Sequence, residues 1–120
     1  MSLDFYEVEA AFADPFLLKM DYWPVIRGKL VCRMDEGEFD HFEPLWKFLQ
    51  AEGTKDLHPF KNFLILPAQI AAASQIMPSL WPEIHRTRQF FHVDDDPFWK
   101  VRDLFARLAD NGGALLTSCD

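Results

Sequence analysis

Two hydrophobic periodicities run along the chain, and each predicts one type of element. Short apolar runs, typical of buried strands, occur at 30–34, 62–66, 90–93 and 114–117. Longer segments with apolar residues three or four positions apart, typical of amphipathic helices, occur at 42–49, 67–77 and 97–111. Pro67 and Pro97 suit helix starts, where a missing N–H costs little, and Gly53 and Gly112 suit helix ends. The pattern thus predicts four strands and three helices after residue 30.

The pattern before residue 30 is less regular. Residues 4–19 fit both a helical face and strict alternation, and we interpret them as a helix capped by Asp4. Two apolar segments flank Arg27 and Gly28, which predicts a hairpin joining residues 22–26 to 29–34. Further along the chain, Pro78 and Pro82 are expected to end the helix that begins at Pro67.

Strands alternate with helices through the second part of the chain, and this order is typical of parallel strand pairing. We therefore predict an α/β fold, in which residues 1–120 form a single domain. Its sheet is expected to be mixed and mostly parallel, with about four or five strands and with helices packed on it. An α+β fold, such as a ferredoxin-like arrangement, is the alternative, because the predicted hairpin introduces antiparallel pairing.

Charge and cysteine content exclude several classes of function. The net charge of −7 and the pI near 4.9 argue against nucleic-acid binding, since that affinity comes largely from Lys and Arg side chains that neutralise phosphates. Cys32 and Cys119 are too few for a disulfide framework and lack metal-site spacing. No apolar stretch approaches the roughly 18 residues of a membrane span. These features predict a cytoplasmic protein that does not insert into membranes.

Carboxylates cluster after two of the predicted strands. Five lie between Asp35 and Glu43, and we assign Asp40 and Glu43 to a capping box for the following helix. This cap leaves the other three without a structural role, namely Asp35, Glu36 and Glu38. A second group, Asp94 to Asp96, precedes the helix at Pro97, and its last member is a good N-cap.

Parallel strands would bring both acidic turns to one edge of the sheet, where such folds bind ligands. Glu36, Asp94 and Asp96 would then supply oxygen ligands for Mg²⁺, with His92 in support. Glu36-Gly37 followed by Asp94-x-Asp96 resembles the Toprim fold of topoisomerases and primases. The resemblance implies magnesium-dependent phosphoryl transfer or nuclease-like chemistry, which we keep as the alternative function.

The preferred hypothesis uses the aromatic residues and involves neither catalysis nor a cofactor. Each of the four tryptophans neighbours another ring, a proline or a charged residue, which suits amphipathic positions near a surface. We expect a protein-binding or self-associating module whose aromatic anchors have an acidic rim, and which takes a basic protein partner or forms a homodimer. The residues expected to bind are Trp46, Trp81, His92 and Trp99.

Overall fold

The computed structural model describes residues 2–9, 28–54, 57–58, 62–86 and 97–119. Its elements, in chain order, are β1 (Ser2–Val8), β2 (Lys29–Asp35), α1 (Glu36–His41), α2 (Glu43–Ala51), β3 (Leu64–Ile65), α3 (Pro67–Arg86), α4 (Pro97–Asn111) and β4 (Ala114–Cys119). Within these residues, none of the helices is long and apolar enough to cross a membrane. The predicted strand at 90–93 and the first half of the predicted hairpin lie outside the described part.

The four strands form one sheet in the order β2-β1-β4-β3, and every neighbouring pair is antiparallel. The predicted mostly parallel α/β sheet is therefore wrong, and the α+β alternative fits. The reason lies in the connections: two helices, α1 and α2, lie between β2 and β3, and another two, α3 and α4, lie between β3 and β4. A single helix between two strands returns the chain to the end of the sheet where the first strand began, so the next strand runs parallel to it. A pair of helices returns the chain to the end where the first strand finished, so the next strand runs antiparallel.

The prediction of a helix in residues 4–19 is wrong where the structure describes it, since β1 spans Ser2–Val8, and residues 10–19 lie outside the described part. Successive side chains of this segment alternate between the two faces of the sheet. Leu3 and Phe5 point into the helix-covered core, and Asp4 lies on the other face. Asp4 is only 4% exposed, and it accepts two hydrogen bonds from the Arg33 guanidinium of β2, at 2.6 and 3.1 Å. A carboxylate buried without such a partner would cost several kcal/mol, so this pair is what permits an aspartate in a central strand.

Helices cover one face of the sheet and form the main core with it. Aromatic rings fill its centre, where Trp46 of α2 stacks on Phe39 of α1 at 4.7 Å between centroids and on Phe5 of β1 at 6.2 Å. Phe63 meets the edges of these rings at 6.0 to 6.4 Å. The opposite face carries a smaller buried cluster formed by Val8, Leu64, Ala114 and Leu116. Both faces of the central strands are therefore buried.

Several predicted boundaries are confirmed. α3 begins at Pro67, α4 spans Pro97–Asn111, and β4 follows directly. Gly53 and Gly112 end helices with φ of 102° and 73°, a conformation that favours glycine. At Gly53 the next amide, that of Thr54, donates to Leu49 O at 2.9 Å, which completes the usual glycine stop. The predicted end of α3 at Pro78 is wrong, because the helix continues through both prolines to Arg86.

Candidate functional site

The acidic turn after β2 forms a helix cap. Asp35 Oδ1 accepts a hydrogen bond from the Glu38 amide at 2.7 Å, and Glu38 Oε1 accepts one from the Asp35 amide at 3.4 Å. This reciprocal pair is a capping box that starts α1. The assignment of the capping box to Asp40 and Glu43 is wrong, since Asp40 lies inside α1 and Glu43 opens α2.

The second helix of this region begins without a side-chain cap. Phe42 is its N-cap residue, and the Phe42 carbonyl accepts from the amides of Leu45 and Trp46 at 2.9 and 3.1 Å. The Trp46 indole N–H donates to the Phe39 carbonyl at 2.7 Å and so ties α2 to α1. Glu43 forms an exposed salt bridge with Lys47 at 3.2 Å. Both copies of the Asp-x-x-Glu spacing therefore have local roles, but only the first is a cap.

Glu38 lies in an environment that disfavours its charge. Partial burial raises the pKa of Glu38 above its ordinary value, and the neighbouring Asp35 carboxylate raises it further. The Asp35 amide and the positive charge of Lys100 act in the opposite direction and lower this pKa. Glu38 is thus a partly desolvated carboxyl that is held in place by a cap.

Cys32 lies in the same neighbourhood, at the middle of β2. Burial raises the pKa of the Cys32 thiol to about 11, and the negative charge of Glu38 adds to this effect. The Lys100 charge lowers it. The thiol therefore remains protonated at neutral pH and is a poor nucleophile, because the thiolate is the reactive form.

Lys100, at the start of α4, lowers the pKa of both groups through its positive charge. The residue before it, Trp99, is half-buried, and the Arg102 guanidinium lies over its ring at 4.4 Å from the centroid. We call Asp35, Glu36, Glu38 and Trp99 together the junction surface. Sequence reasoning named all four residues but gave no reason to group them, because an electrostatic effect of α4 on α1 leaves no local signal.

The other predicted aromatic anchors have different surroundings. Trp46 is only 4% exposed at the centre of the core, so its ring is not available to a partner. The expectation that Trp46 lies near the surface is therefore wrong, and the reason is that its neighbours pack inward with it. Trp81 lies on α3, and the position of its side chain is outside the described structure, as are Trp23 and His92. In the described part, Leu30 is the exposed large hydrophobic residue, at 45%.

The predicted metal site is represented by one residue in the described structure. Glu36 is exposed in the first turn of α1, whereas Asp94, Asp96 and His92 lie outside the described residues. Within the described ranges, no group of three or more His, Cys, Asp or Glu side chains is placed to hold a metal ion. The antiparallel sheet also removes the argument that brought the two acidic turns to a common edge, so the magnesium hypothesis stays a prediction.

Comparison with known proteins gives no family for this chain: no family model, curated protein or solved structure matches it.

Proposed function

We propose that the protein is a non-catalytic binding module that holds a basic protein partner on the junction surface. The observations that support this proposal are the exposed carboxylates of Asp35 and Glu36 at the start of α1 and the partly exposed ring of Trp99 at the start of α4. An aromatic ring with carboxylates around it is a combination suited to lysine and arginine side chains.

Charge supports a basic partner over a second copy of the chain. With a net charge of −7, two copies repel each other, whereas a basic segment is attracted over about 10 Å at moderate ionic strength. Asp35 and Glu36 are exposed at the helix start, so a partner can reach them without rearrangement. Trp99 is only partly exposed and the Arg102 guanidinium lies over one face of its ring, so it supplies the other face or an edge and not a deeply inserted anchor.

Fluorescence anisotropy with two labelled peptides of equal length, one rich in lysine and one rich in glutamate, tests the proposal. The lysine-rich peptide is expected to bind, and added salt should weaken it. Glu36→Gln and Trp99→Ala should each weaken binding by about two- to fivefold, the range for single exposed charges and partly buried rings.

The matched control is Asp110→Asn, which removes one exposed charge near the other end of α4. Equal binding by Glu36→Gln and Asp110→Asn would show that net charge alone attracts the peptide, and the proposal would then fail. Sedimentation of the protein alone over a range of concentrations tests the homodimer. Concentration-dependent association would favour self-association over a basic partner.

A further inference from the structure

α3 contains two prolines in its interior, four residues apart. Pro78 and Pro82 are both exposed, so they lie on the solvent side of this 20-residue helix. Proline has no amide hydrogen, so the carbonyls of Ser74 and Pro78 each lack the usual donor four residues later. The helix thus loses two hydrogen bonds in successive turns, and each proline ring also crowds the carbonyl one turn before it.

Burial of apolar side chains compensates for the two lost hydrogen bonds, but it differs between the two parts of the helix. Before Pro78, the buried stripe contains Ile70, Ala73 and Met77, each no more than 1% exposed. Beyond Pro78, among the side chains that the structure describes, Ile84 is fully buried and Leu80 is half-buried. The second part of the helix therefore has weaker backbone bonding, and among the described side chains one residue, Ile84, anchors it fully in the core.

A side-chain hydrogen bond marks the same point. The Ser79 hydroxyl donates to the Ile76 carbonyl at 2.7 Å, a bond to the preceding turn that is typical of bent helices. Two prolines and this bond lie within one and a half turns, and helix kinks concentrate at such positions. The axis can change direction here with few further hydrogen bonds to break.

We propose that residues 79–86 form a segment that opens as a unit about Pro78 while the sheet and the first part of α3 stay folded. Opening withdraws Ile84 from the core and exposes Leu80. Regions that open locally have incomplete backbone bonding, and this segment follows the two carbonyls of α3 that the prolines leave without their usual donor. The inference is independent of the binding function proposed above.

Native-state hydrogen exchange of the full chain, read by mass spectrometry, tests this inference. Amides at 79–86 are expected to exchange at least about tenfold faster than those at 71–77, and with a weaker dependence on denaturant. Pro82→Ala restores one N–H and a strong helix former, so it should slow exchange of 79–86 by about tenfold or more.

Pro67→Ala is the matched control, because a proline at the helix start removes no internal hydrogen bond. It should leave exchange at 79–86 unchanged. Equal rates and equal denaturant dependence in both parts of α3 would show that the helix opens only with the whole protein. That result, or an unchanged rate in Pro82→Ala, overturns the proposal.

Discussion

At the scale of single residues, Asp35 is the carboxylate of the acidic turn that caps a helix. It is the last residue of β2 and the N-cap of α1, and its carboxylate satisfies an amide that has no partner inside the helix. Asp40 is exposed within the same helix and lacks this role. The two aspartates lie five positions apart and look equivalent in the sequence, so substituting each one by alanine distinguishes the capping residue from the other.

Asp35→Ala should lower the free energy of unfolding by about 1 kcal/mol, as the loss of an N-cap usually does. Asp40→Ala should change it by less than about 0.5 kcal/mol, which is usual for an exposed site. Urea denaturation of the two variants measures the difference. An equal decrease in the free energy of unfolding for both variants would mean that the cap at Asp35 does not stabilise the protein.

Glu38 gives the stability a defined pH dependence. Because burial raises its pKa in the folded protein, the folded state holds this proton more tightly than the unfolded state. Its contribution to stability is therefore present below the ordinary pKa of glutamate, near 4.3, and is lost as the pH rises through the raised folded pKa.

Glu38→Gln removes this titration and keeps an oxygen that can accept from the Asp35 amide. The variant should be more stable than the wild type at neutral pH, and the difference should vanish in acid below the ordinary glutamate pKa. Denaturation curves over this pH range provide the measurement. A difference that grows towards low pH would contradict the raised pKa.

At the scale of elements, the boundaries that depend on local chemistry were predictable. Pro67, Pro97, Gly53 and Gly112 mark helix ends by their own backbone preferences, and the structure agrees at each. Elements that depend on contacts with distant segments were not predictable. The pattern at β1 fitted both a helix and a strand, and its partners in distant strands, including Arg33 for the buried Asp4, make it a strand.

Two further errors had the same kind of cause. α3 passes Pro78 because Ile84 is buried one turn and a half later, and this packing outweighs the local preference. The effect of Lys100 in α4 on Glu38 in α1 likewise acts between distant segments, so the residues of the junction surface were predictable but their grouping was not.

The joint between α1 and α2 is held by Trp46. Its indole N–H bond to Phe39 and its stacking on two rings link both helices to β1. Trp46→Phe should lower the free energy of unfolding by about 2 kcal/mol, since it removes a buried hydrogen bond and part of a filled volume. Urea denaturation checks the value, and Trp99→Phe, at a half-buried position, is the control and should cost less.

At the scale of the whole molecule, the sheet order changes what the acidic turns can do together. The prediction of a common edge needed parallel strands, and pairs of helices in the connections make the strands antiparallel. Periodicity predicted the type of β2, β3, β4, α2, α3 and α4, but not that of β1 or α1. Strand direction was not predictable, because it depends on how many helices lie between two strands of the described sheet.

Magnesium provides a test at this scale. If the protein is a binding module without a metal, millimolar Mg²⁺ should leave its melting temperature unchanged, because a ligand stabilises only a state that binds it. Thermal unfolding with and without the ion gives the answer. A rise that disappears in the double variant Asp94→Asn and Asp96→Asn would instead favour the magnesium-dependent hypothesis.

The pairing of β1 with β4 determines when the fold can be completed during synthesis. Leu3 lies opposite Cys119 and Val8 opposite Ala114, so the central pair of strands joins segments more than 100 positions apart. A ribosome releases β1 long before β4 exists, and until then β1 has only β2 as a described neighbour. Closure of so long a loop is slow compared with the formation of local contacts. The nascent chain therefore carries β1 without its β4 partner during synthesis of the more than 100 residues that separate the two strands.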